Sequence, residues 1–150
     1  MIPFATAGGG FLLAVLWFDL MFDVQVLAHR RQPQLPEQTL ASIAAYYRRV
    51  TTAARPMNRL IPLVMLVTLA ALVVEIASGH HTRWAAWASL ALALAPIALA
   101  GAHTVPSAVR LGARRDSPAR QTALARSIWR EHTFCALSIA SMLALQLAFA

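Results

Sequence analysis

The sequence predicts an all-α integral membrane protein: a four-helix bundle with a short cytoplasmic amphipathic helix between helices 1 and 2. Three observations carry this. Of 150 residues, 59% are hydrophobic and 13% charged, about half the charged share of an ordinary soluble domain. Four apolar stretches, near 8–28, 60–78, 84–104 and 133–150, each approach the ~20 residues that a spanning helix needs; the mean hydropathy is +0.58. The basic residues, all arginines, avoid these stretches: twelve of 13 fall in 30–59 and 110–130, and only Arg83 lies in the short loop between the second and third stretches. That is the positive-inside pattern. It predicts a single multi-pass domain in the bacterial inner (cytoplasmic) membrane, with both termini outside the cytoplasm.

The net charge of +7 and pI near 11.5 would suit nucleic acid, but the arginines flank spans and no aromatic-basic motif accompanies them. No nucleic-acid partner is expected; the lipid bilayer is. The single cysteine, Cys135, excludes an internal disulfide and any CxxC motif. Met1 to Gly10 carries no basic residue, a poor secretory signal, so the first stretch reads as a retained helix.

In chain order, Gly8-Gly9-Gly10 opens helix 1, either permitting close helix approach or acting as a flexible lead-in. Asp19 and Asp23 follow in Trp17-Phe18-Asp19-Leu20-Met21-Phe22-Asp23. Four residues apart, they share one helix face. A carboxylate deep in a membrane helix costs roughly 2.5–3.5 kcal/mol, so the two need partners, a wet cavity or a proton. His29-Arg30-Arg31 marks the cytoplasmic edge, and Gln32-Pro33-Gln34-Leu35-Pro36 breaks the helix.

From Pro36, an N-terminal proline with Glu37 in the first turn, Leu40, Ile43, Ala44, Tyr47 and Val50 form one apolar stripe. Two placements suit this amphipathic helix. It lies on the membrane surface, with Tyr46 and Tyr47 at the headgroups and Arg48 and Arg49 on anionic lipid, or it packs as a lid over the bundle mouth. Pro56 starts helix 2, with Asn58 and Arg59 in its first turns and Glu75 near its outer end, within reach of water. His80-His81 in the outer loop read as surface residues, since two adjacent ligands make a weak metal signal.

Trp84 and Trp87 anchor helix 3 at the outer interface, and Pro96 is expected to kink it. Asp116-Ser117-Pro118 provides a helix cap, and the helix from Pro118 leads into the fourth span. There Ala136, Ala140, Ala144 and Ala148 form a small-residue ridge suited to close packing.

This topology puts the inner ends of helices 1 and 3 (Asp19, Asp23, His103) level with the inner starts of helices 2 and 4 (Asn58, Arg59, Arg130, His132). Bundle cores are where ligand sites form, and intramembrane ionisable residues are functional candidates. Asp19, Asp23, His103 and His132 are the candidate acid/base groups. Trp17, Asn58, Arg59, Trp129 and Arg130 are candidate ligand contacts. The structural alternative pairs Asp23 with Arg59 and leaves the histidines interfacial.

Asn58-Arg59 opening helix 2, Val105-Pro106 after helix 3 and Trp129 with His132 opening helix 4, in this helix order, resemble the anthrone oxygenase-like family of small membrane proteins. The chain departs from that pattern at Ser107 and at Arg130-Glu131, which separates Trp129 from His132. The resemblance implies a pocket for a hydrophobic aromatic or quinone-like molecule, bound or oxidised. Two other classes remain: an accessory subunit of a membrane complex, with a membrane-protein partner or a second copy, and a haem or metal protein using His103 and His132. No cofactor or dedicated metal site is otherwise indicated.

Overall fold

The computed structural model describes residues 2–54, 56–79 and 82–149; His80 and His81 lie outside them. Every regular element is helical: α1 (Ile2–Asp23), α2 (Gln25–Ala28), α3 (Glu37–Arg48), α4 (Met57–Ser78), α5 (Arg83–Leu99), α6 (Val105–Ala113) and α7 (Pro118–Ala148). Wide π turns at Arg49–Ala53 and Ala100–Thr104 follow α3 and α5. Four stretches are long and apolar enough to cross a membrane: Pro3–Ala28, Asn58–Ser78, Arg83–Ala113 and Pro118–Ala148. The chain is a multi-pass membrane protein in contact with lipid, as composition predicts.

The spanning helices form a ring in which α1 packs on α4 and α7, and α5 packs on the same two. Close approach in this ring is built into the N-terminal half of α1. A Cβ on Gly8 would collide with the Thr68 hydroxyl, and one on Gly9 with the end of Met142, whereas Gly10 faces open space. The first two glycines therefore serve packing. Ala5, Ala71, Leu72, Ala93 and Met142 form the core there.

The third and fourth spans are longer than a membrane requires. At 31 residues each, they extend about 46 Å against a ~30 Å hydrocarbon layer. Val105-Pro106 does not end the third span, which continues into α6. Pro106 falls in the first turn of α6, just after a wide π turn, where its missing N–H and ring bulk disturb the ladder least. The fourth helix runs unbroken from Pro118, capped by Ser117, whose hydroxyl accepts from the Arg120 amide at 3.4 Å.

The protruding ends build a second core with α3. Leu40, Ile43, Ala44 and Tyr47 of α3 pack against Leu111 of α6 and Leu124, Ala125 and Ile128 of α7. Gly112 allows this, since a Cβ there would stand 2.8 Å from the Arg48 backbone nitrogen. The connection before α3 is laid along α7: the Leu35 amide donates to Thr122 (3.0 Å), and Arg126 donates to the carbonyls of His29 (3.2 Å) and Gln32 (2.5 Å).

Of the two placements for the amphipathic stripe, the structure therefore adopts the lid. The stripe is buried against protein, because the overhanging helices offer it an apolar partner. The alanine ridge of α7 is displaced from the packed face. His132, Cys135, Ser138, Ile139, Met142 and Gln146 are buried, while Ala144 and Ala148 are exposed. Glu75 does not reach water: it is 3% exposed, with its Oε2 accepting from Gln146 Nε2 at 3.2 Å.

Candidate functional site

The lid brings two tyrosines over the two aspartates. Asp23 is 0% exposed and is bonded twice: Tyr47 Oη donates to its Oδ1 at 2.6 Å, and its Oδ2 lies 2.6 Å from His132 Nδ1. One helical turn earlier, Asp19 Oδ1 accepts from Tyr46 Oη at 2.8 Å, and its Oδ2 lies 3.9 Å from His132 Nε2. One imidazole is thus flanked by two carboxylates, each capped by a phenol.

Local geometry explains how neighbours in sequence reach different carboxylates. Tyr46 and Tyr47 are about 100° apart around α3, and Tyr46 is turned outward, stacking on Phe22 at 4.0 Å. It meets Asp19, the carboxylate nearer the surface. Tyr47, 2% exposed, points into the core and meets Asp23. Burial, reinforced by the facing carboxylates, holds both phenols well above their ordinary range. Both therefore act as neutral O–H donors. A buried carboxylate accepting charge-assisted hydrogen bonds is far cheaper than an isolated one.

With Asp23 Oδ2 accepting, the ring proton of a neutral His132 belongs on Nδ1. Nε2 is then turned toward Asp19, at a separation too long for a hydrogen bond. A carboxylate that fixes one imidazole nitrogen and frees the other is the usual way of orienting a histidine for acid/base work.

A second cluster lies next door. His103 Nδ1 is 2.8 Å from Glu131 Oε1, and Glu131 also accepts from Thr104 and Ser127, each at 2.7 Å. Glu131 and His132 are adjacent on α7, hence about 100° apart, so His103 belongs to a separate cluster on another face. Each histidine's Nδ1 is engaged by a different carboxylate. Among the described residues, no group of three or more His, Cys, Asp and Glu side chains is arranged to hold a metal.

Of the residues expected to converge, the structure joins Asp19, Asp23 and His132. His103 is exposed and paired with Glu131. Arg59 and Arg130 are exposed, Trp17 is 64% exposed, and Trp129 and Asn58 are half-buried. Trp129 packs on the core beneath the lid. The expected Asp23–Arg59 pair does not form. Tyr47 and His132 already occupy the buried carboxylate, and a long guanidinium in the first turn of a spanning helix favours the aqueous side. Tyr46, Tyr47 and Glu131 were missed as site residues. Tyr47 carried a signal: its place in the apolar stripe buries a phenol, and a buried O–H needs a partner.

Compared with known proteins, the chain matches no family model, no curated protein and no solved structure. What stands is a small multi-span helical membrane protein with a buried Asp–Tyr–His network.

Proposed function

We propose that this network is a proton-exchanging site for a hydrophobic aromatic or quinone-like molecule reaching the protein from the bilayer. The observation that carries this reading is the imidazole of His132, held at Nδ1 by Asp23 and left with Nε2 facing Asp19 across 3.9 Å. A hydroxyl or carbonyl at that edge meets an acid/base nitrogen on one side and a carboxylate on the other. Asp23 is sealed, so an incoming molecule meets Asp19 and Tyr46, the two members with exposed surface. Trp17, Phe18, Met21 and Phe22 are exposed on the same helix and offer an apolar approach from lipid. The anthrone oxygenase-like resemblance supports a phenolic or quinone-like ring as the ligand class, with His132 and Asp19 handling its proton. The arginines flanking this end of the bundle support a cytoplasmic position for it.

The test is binding of a hydroxynaphthoquinone to the purified protein in lipid nanodiscs, read by quenching of tryptophan fluorescence. Wild type should bind saturably. Asp19→Asn keeps the acceptor for Tyr46 but cannot titrate; it should keep its melting temperature and weaken binding about ten-fold. Equal affinity in Asp19→Asn and wild type, or no saturable binding in wild type, would sink the reading.

A further inference from the structure

The end of the bundle opposite the Asp–Tyr–His network holds another buried carboxylate, in a setting the proposed function does not use. Glu75 is 3% exposed; Gln146 satisfies Oε2, while Oε1 is buried with no hydrogen-bond partner among the described residues. That orphaned oxygen belongs to a residue that, with Ala86, is shared by two adjoining clefts. The larger, about 400 Å³, is lined by Glu75, Ile76, Gly79, Arg83 and Ala86, a volume within the roughly 300–1,000 Å³ of small-molecule sites. The smaller is closed by Gln146 and Phe149. Ser89, three residues beyond Ala86 and so on the same face of α5, is also fully buried with its hydroxyl unpartnered.

A buried acceptor without a donor is costly, more so for a charged one. A ligand N–H would remove the cost. Arg83, exposed, lines the same cleft, and a guanidinium is the side chain best matched to phosphate. One cleft thus presents, at depth, a carboxylate oxygen without a donor among the described residues and, toward solvent, an exposed guanidinium. The complementary ligand is a zwitterion carrying a cationic N–H donor and a phosphate a short distance apart. The surroundings are those of a headgroup region: Trp84 and Trp87 are 56% and 55% exposed at this end, and Trp84 meets Phe149 edge-on at 4.9 Å. Val73 and Val74, exposed on α4 beside Glu75, provide apolar surface for an acyl chain.

We propose that this cleft binds the headgroup of an ethanolamine phospholipid, the ammonium on Glu75 and the phosphate on Arg83. The choice among lipids follows from the donor requirement. A choline headgroup has the same phosphate but no N–H, and a glycerol headgroup has no cation.

The full chain is reconstituted in nanodiscs with equal parts of ethanolamine, choline and glycerol phospholipids of identical acyl chains. It is then released into mild detergent, and the lipids that stay bound are counted by native mass spectrometry. Wild type should retain the ethanolamine lipid about ten-fold over the choline lipid, the ratio that one charge-assisted hydrogen bond supplies. Glu75→Gln preserves shape and the Gln146 contact and should bring that ratio close to one. Arg83→Gln should lower retention of both lipids without changing their ratio. The wild-type comparison needs no variant to fold. Equal retention by wild type, an unchanged ratio in Glu75→Gln, or undiminished retention in Arg83→Gln would each overturn the proposal.

Discussion

Tyr47→Phe removes one oxygen atom, and the structure says what that oxygen does. It is the donor to Asp23 Oδ1 at 2.6 Å and lies 3.3 Å from His132 Nδ1, in a site that water does not reach. A hydrogen bond to a charged group contributes about 1.5–3 kcal/mol, and here nothing replaces it. For a chain of this size each kcal/mol moves the melting temperature by about 2–4 °C, so the loss should be roughly 3–12 °C. Tyr46→Phe is the matched control. It removes a comparable bond to Asp19, but that side chain is 14% exposed, so water substitutes in part and the loss should stay under about 5 °C. Cys135 supplies the assay: it is the sole cysteine and is buried, so a thiol-reactive fluorophore reports unfolding in detergent. If the hydroxyl acts through Asp23, Tyr47→Phe should cost less in an Asp23→Asn background, with a coupling on the order of 1 kcal/mol. Strict additivity, a shift below 1 °C for Tyr47→Phe, or a larger loss for Tyr46→Phe would refute the reasoning.

The glycines of α1 should separate by role. Gly8→Ala must displace Thr68, whose hydroxyl is bonded to the Val64 carbonyl at 2.8 Å, and should destabilise by about 1–3 kcal/mol; Gly10→Ala meets nothing and should be neutral or stabilise by up to about 1 kcal/mol, both read by the same thermal assay. At the surface, Arg110 grips Asp116 through two 2.7 Å bonds, and that hydrogen bonding holds the Asp116 carboxyl below its ordinary value. A depressed carboxyl contributes stability above its unfolded pKa, about 3.9, and loses it as pH falls through the lower folded value. Circular-dichroism melts of wild type and Asp116→Asn should therefore differ at pH 6 and draw together as pH falls below the unfolded value of about 3.9; a difference that grows on acidification contradicts this. Reporter fusions after His81 and at Ala150 should both read as external, and a cytoplasmic signal from either rejects the topology.

Membrane character was legible from composition because apolar runs of about 20 residues with arginines only at their ends have few other uses. That four long apolar helices exist was also legible, since length and hydropathy signal them, but not that the third and fourth run on for 31 residues each. The face of α3 was readable from its stripe, but its neighbour was not. Leu40, Ile43 and Tyr47 would serve equally on lipid or on protein, and only the overhang of α6 and α7 settles the matter. The candidate site divides the same way. Two carboxylates four residues apart on an apolar helix announce that they need partners, whatever the fold. Which partners arrive depends on contacts between residues 24 and 109 positions apart in the chain, and no local pattern encodes those. Arg59 had the right charge and the right level for Asp23, yet long-range packing delivered a phenol and an imidazole first. Glu75 shows the converse: its position near a helix end suggested water, and burial came from Gln146, 71 residues away. Helix periodicity and hydropathy act within a few turns and are written in the sequence. The pairing of polar groups across helices is decided when the bundle closes.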